Sequence, residues 1–188
     1  MHVIQWIFLQ RYSIQDFCSD DEWEQERCEV GMELGSSGET DIVKYLASLC
    51  YKKEFLSCCA VGAVRDGHLP LVRWLLEEKQ VPQEWFENVY DDDDDDGFYA
   101  IFGICDTAAE YGHKHILEWL RAQDPPYSWS EQTCYAAAAN GEMTTLIWLR
   151  SQDPPYPWDP VMCNAAATRY AEREMTYVQR VMAQLENN

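Results

Sequence analysis

The residues best suited to chemistry are acidic and fall in one run. Asp91 to Asp96 are six consecutive aspartates, followed by Gly97. Asp92, Asp94, Asp96 and Gly97 match the opening of an EF-hand loop, where alternating carboxylates supply hard oxygen ligands and glycine makes the turn. Such a loop is closed by a bidentate Glu at its twelfth position. Counted from Asp92 that position is Gly103, and the eighth is Tyr99. The closing ligand is missing. The run is therefore expected to be solvated and self-repelling, and no metal site is assigned to it.

Other candidates fail in the same way. His113 and His115 are two residues apart, a spacing that points side chains in different directions on a helix, and no third ligand accompanies them. The eight cysteines are Cys18, Cys28, Cys50, Cys58, Cys59, Cys105, Cys134 and Cys163. None forms a Cys-x-x-Cys pair, and no histidine spacing completes a zinc site. They are expected to act as small buried apolar residues. Reduced thiols imply a cytoplasmic or nuclear setting rather than secretion. No Ser-His-Asp grouping and no Gly-rich phosphate loop stands out. The expectation is a chain without catalytic residues and without a cofactor.

What positions these residues is a repeat. Cys105, Gly112, Trp119, Asp124-Pro-Pro-Tyr127 and Trp129 recur 29 residues later as Cys134, Gly141, Trp148, Asp153-Pro-Pro-Tyr156 and Trp158. Gly38 and Gly67 are also 29 apart, as are Tyr45 and Trp74, while 16 extra residues lie between Gly67 and Gly112. Cys163 continues the series, and Tyr170 stands where the next glycine is expected. A period of this length means stacked supersecondary units. Each unit reads as two helices. The first is small and Ala-rich, as in Thr133 to Asn140, and ends at a glycine suited to a left-handed cap. The second carries apolar residues at helical spacing, such as Ile116, Leu117, Trp119 and Leu120, and is stopped by Pro125-Pro126. Trp74, Trp119 and Trp148 are expected in the core between units. The linker rings of Tyr127, Trp129, Tyr156 and Trp158 are expected to fold back and seal the loops.

Gly67-His-Leu-Pro-Leu-Val-Arg-Trp-Leu and Ala108-Ala109-x-x-Gly112-His113 resemble the core phrase of the ankyrin repeat. The match is to a short variant with Pro-Pro-Tyr-x-Trp linkers, similar to repeats in algal, oomycete and giant-virus proteins. The usual Thr-Pro-Leu-His opening is replaced by Gln132-Thr-Cys-Tyr135, and the linker lacks the Gly-Ala-Asp hairpin. The resemblance implies an all-α, ankyrin-like helix-turn-helix repeat solenoid with N- and C-terminal capping helices. The expected organisation is a cap over residues 1–30, then repeats over 31–58, 59–103 (with an acidic insertion at 86–98), 104–132 and 133–161. A C-terminal amphipathic cap over 162–188 would turn Met175, Val178, Met182 and Leu185 inward. The apolar run Val3 to Leu9 is too short to span a bilayer and is read as part of the N-terminal cap. The resemblance also implies that His68 and His113 brace their turns.

Charge narrows the partner. Net charge is −19, and two stretches, Asp16 to Asp41 and Glu77 to Asp96, hold nearly all of it. Direct nucleic-acid binding needs the opposite sign and is set aside. Ankyrin-like solenoids bind proteins on the concave face lined by first helices, commonly through the two residues before each turn glycine. Here these are Ser36 and Ser37, Arg65 and Asp66, Glu110 and Tyr111, and Ala139 and Asn140, which vary while their flanks do not. Arg65, Asp66, Glu110, Tyr111 and Asn140, with Tyr99 from the insertion, are the expected contact residues. The expected function is a protein-interaction module whose partner is another protein, with a basic or mixed surface. The alternative is an acidic decoy that occupies the nucleic-acid site of a basic protein.

Overall fold

A computed structural model describes residues 24–49, 53–78, 81, 103–152 and 159–172. Among these residues there are helices and turns and no strand, which agrees with the all-α expectation. No helix among them is long and apolar enough to cross a membrane. The N-terminal run, the acidic insertion, the second Pro-Pro linker and residues 173–188 of the C-terminal cap, with Met175, Val178, Met182 and Leu185, lie outside the described residues. The chain divides into two compact units, Met1–Ile104 and Cys105–Asn188.

The first unit holds α1 (Glu24–Ser37), α2 (Thr40–Leu49), α3 (Lys53–Arg65) and α4 (Leu69–Arg73). α4 runs on into a π-helical turn, Trp74–Glu78. Residues α5 (Ile104–Glu110), α6 (Lys114–Arg121), α7 (Glu131–Ala139) and α8 (Met143–Arg150) form the pairs around the second unit, followed by a helix, α9, over 160–172. The period is visible in the backbone. Thr40–Leu49 is followed 29 residues on by the helical run Leu69–Glu78, and Lys114–Arg121 by Met143–Arg150.

α1 and α3 pack backbone against backbone, and glycine makes this approach available. A Cβ on Gly35 would lie 2.2 Å from the Cys59 carbonyl oxygen, and one on Gly62 would lie 2.3 Å from that of Met32. One on Gly31 would meet the Phe55 carbonyl oxygen at 2.8 Å. Gly31 and Gly35 are four apart, so they share one face of α1. The Gly31 position recurs as Ala60 in α3 and as Cys105, Cys134 and Cys163 in the second unit, and all of them are buried. Only a small residue fits there.

The second helices supply the larger apolar groups. Ile42, Val43 and Leu46 of α2 recur as Leu71, Val72 and Leu75, as Ile116, Leu117 and Leu120, and as Thr145, Leu146 and Leu149. All twelve are buried. The aromatic one residue before the last of each set lies at the margin of this stripe. Tyr45 is exposed and Trp119 and Trp148 are half-buried, against the expectation of a tryptophan core. Trp74 is buried, together with Leu75 and Leu76 of the π turn.

Two stability measurements follow. Gly35→Ala raises helix propensity by about 1 kcal/mol, yet its methyl meets backbone that cannot rotate away. We expect a net loss of about 2 kcal/mol or more in denaturant unfolding, and a neutral or stabilised variant would contradict the backbone contact. Thr145 is the one polar member of the twelve, and its Oγ1 is buried without a hydrogen-bond partner. Thr145→Val removes that hydroxyl at nearly constant volume and should stabilise the chain by about 1 kcal/mol. Destabilisation by the same amount would show that the hydroxyl is satisfied.

Candidate functional site

The expected contact residues are built on the turn that closes each first helix. Gly38, Gly67, Gly112 and Gly141 all have positive φ, between 68° and 83°. Around the last three the same two bonds recur. His68, His113 and Glu142 donate their backbone N–H to Ala63, Ala108 and Ala137 at 2.8 to 2.9 Å, and each glycine N–H reaches the following carbonyl at 3.3 Å. This is the Schellman arrangement, and only glycine adopts its left-handed residue without strain. The residue after each glycine then takes φ near −80° and ψ near 65° before the second helix begins. Leu69, Lys114 and Met143 donate back across it to the glycine carbonyl, which makes an inverse γ-turn.

Neighbouring turns within a unit touch. The His68 ring covers Gly38, and its Nε2 lies 2.8 Å from the Ser36 carbonyl oxygen. This agrees with a bracing role for that histidine. In the second unit the Glu142 carboxylate covers Gly112, and the Tyr170 ring covers Gly141. Tyr170 replaces the expected glycine, and helix 160–172 continues straight through it. His113 and His115 correct an expectation. Their rings meet edge-on with centroids 5.7 Å apart, because His113 precedes the helix and helical spacing does not govern its direction.

The paired positions before the glycines lie at the surface. In the first unit they meet: Arg65 Nη2 donates to Ser36 Oγ at 2.8 Å, and Arg65 Nε pairs with Asp66 Oδ2 at 3.3 Å. Partial burial of Asp66 works to raise its pKa. Hydrogen bonds from Ser36 and Arg65 and the charges of Arg65 and His68 outweigh that and hold it below its ordinary value. In the second unit Glu110 is half-buried, and that burial pushes its pKa up. Tyr111 is 45% exposed on a rigid turn. Asn140 is half-buried, and its Nδ2 donates to the Ala136 carbonyl of its own helix at 3.1 Å. Tyr99 lies outside the described residues.

The linker after α6 folds back as expected. Tyr127 is buried, its N–H donates to the Leu120 carbonyl, and its carbonyl accepts from Arg121 at 3.0 Å. The Arg121 guanidinium stacks over Trp129 at 3.9 Å, and Trp129 meets Trp148 edge-on. A hydrogen-bond network crosses from the start of α7 to α5, exposed at Ser130 and buried at Thr133 and Asp106. The Ser130 N–H donates to Thr133 Oγ1, which in turn donates to the buried Asp106 carboxylate.

One surface feature was missed. The ion pair Lys114–Glu118 on α6 is replaced at the same register on α8 by Met143 and Ile147, 53% and 65% exposed. Reading the two helices against each other at the period of 29 would have found it. Among the described residues no group of three or more His, Cys, Asp or Glu side chains could hold a metal ion. No family model, no curated protein and no solved structure matches the chain.

Burial of Tyr127, helped by neighbouring Cys105, raises its phenol from 10.0 to about 12. The fold favours the neutral ring, so this contribution to stability is full below pH 10 and is lost as pH rises through about 12. Spectrophotometric titration should show Tyr127→Phe lacking ionisation only in the last part of the alkaline curve. Amplitude lost near pH 10 instead would contradict a sealed linker.

Proposed function

We propose that this chain is a non-catalytic protein-interaction module, its helix pairs being ankyrin-like repeats with capping segments at both ends, acting in the cytoplasm or nucleus. The observation that carries the reading is variation on a constant frame. Three turns share φ, ψ and hydrogen bonds, yet the two residues before their glycines are Arg65-Asp66, Glu110-Tyr111 and Ala139-Asn140. Scaffold demands do not explain side chains that change while the backbone stays the same. Selection by a partner does.

The partner is a protein with a basic or mixed surface that meets the proposed concave face. Tyr111 is the anchor, a rigid amphipathic ring of the kind favoured at binding hot spots. Asp66 and Glu110 set charge complementarity with Arg65, and Asn140 and Tyr99 complete the contact set. The net charge of −19 supports steering of a basic partner and faster association. The same charge favours the second reading, a decoy for a nucleic-acid-binding protein.

Capture from a cell lysate at low and at high salt, followed by affinity measurement on the retained protein, separates the two. We expect a dominant partner that survives high salt. Tyr111→Ala should weaken its binding about tenfold or more, while replacement of Asp91 to Asp96 by Asn is tolerated. A spread of basic proteins lost at high salt, with binding abolished by the Asn changes, would overturn the interaction-face reading in favour of the decoy.

A further inference from the structure

The approach of α1 to α3 has a chemical consequence at one end of the contact. Cys28 on α1 and Cys58 on α3, 30 residues apart in sequence, place their sulfurs 2.6 Å from each other. Both are buried, at 8% and 5% exposure. Gly31, one turn along α1, leaves space for the Cys58 Cβ, which would lie only 3.0 Å from a Cβ added there. The glycine contact thus holds two thiols closer than unbonded sulfurs rest. A disulfide needs a further approach of only about half an ångström.

We propose that Cys28 and Cys58 are a redox-sensitive pair that closes to a reversible disulfide and staples α1 to α3. The oxidant is a low-molecular-weight disulfide such as glutathione disulfide. One cysteine, as thiolate, attacks a sulfur of the oxidant, breaks its S–S bond and expels one glutathione thiolate. The second cysteine thiolate attacks the protein sulfur of the mixed disulfide, forms the Cys28–Cys58 bond and expels the second glutathione. The protein loses two electrons and two protons, and the oxidant becomes two glutathione thiols.

Cys59, beside Cys58, is the natural competitor and is excluded by its surroundings. It is fully buried, and that burial, followed by the nearby Cys28, pushes its thiol well above its ordinary pKa. A thiol that stays protonated is a poor nucleophile. Cys105, Cys134 and Cys163 occupy the small-residue register of the second unit, where burial is also the first cause that raises Cys134 and Cys163.

The test is to incubate the full chain, under native conditions, with glutathione disulfide and map the non-reduced peptides by mass spectrometry. We expect a Cys28–Cys58 linked peptide, lighter by two hydrogens than its parts, that dithiothreitol reverses. The oxidised chain should melt several degrees higher, as a cross-link that constrains the unfolded state requires. Cys59→Ala should leave the bridge intact, and Cys28→Ala or Cys58→Ala should abolish it. A dominant bridge through any other cysteine, or Cys28 and Cys58 remaining as thiols or as separate glutathione adducts, would overturn the proposal.

Discussion

The first unit depends on two first helices, α1 and α3, that come close enough for backbone to touch backbone. A second helix here is only about ten residues long, and its apolar face is a narrow stripe of three inward positions. That stripe cannot bury itself alone and needs the next unit against it. The depth of burial is set by how near the neighbouring first helices lie. Gly31, Gly35 and Gly62 bring α1 and α3 to carbonyl contact. Where alanine and cysteine take over, as at Ala108, Cys134 and Ala137, the side chains are still small and fully buried. Glycine is a poor helix former, by about 1 kcal/mol against alanine. Inside α1 and α3 the close approach that glycine permits works against that cost.

Close approach also fixes the turns. Once two first helices lie together, their C-termini are adjacent, and a residue of one turn, or of the helix that replaces it, covers the glycine of the preceding turn. His68, Glu142 and Tyr170 do this with unrelated chemistry. The contact therefore follows from backbone geometry rather than from one side-chain type. His68 gains a hydrogen bond to the Ser36 carbonyl, and Tyr170 covers Gly141 with an aromatic ring. The substitution of Tyr170 for glycine removes the left-handed residue, so the helix that carries it runs on instead of turning.

Much of this was legible in the sequence because the period is a direct signal. Gly38, Gly67, Gly112 and Gly141 announced four turns of positive φ, and the Leu and Ile positions announced the buried stripe. The misreadings share a cause. Trp119 and Trp148 recur within the apolar runs, whereas burial follows angular position, and they lie one step off the stripe. Gly31, Gly35 and Gly62 passed unnoticed because glycine in a repeat is first read as a turn. The spacing of four between Gly31 and Gly35, inside a run that must be helical to keep the register, was the available clue. His113 and His115 were judged by helical spacing although one of them precedes the helix. The contact of Cys28 with Cys58 has no sequence signature, since it needs the helix separation that glycine creates.

The turn also explains why recognition would concentrate where it is proposed. Its two recurring hydrogen bonds run between main-chain groups, from the glycine and the residue after it to carbonyls in the last helical turn. The side chains at the two intervening positions take no part in those two bonds. Arg65, Asp66, Glu110, Tyr111, Ala139 and Asn140 can therefore change from unit to unit at little cost to the frame. Rigidity and variability come from the same source. A surface ring held on such a frame, as Tyr111 is, loses little conformational freedom when a partner covers it. A side chain such as Asn140, bonded back to its own helix at Ala136, must give up that bond before it can serve a partner. Binding through such a position competes with the frame, so what Asn140 contributes is reduced by the bond it breaks.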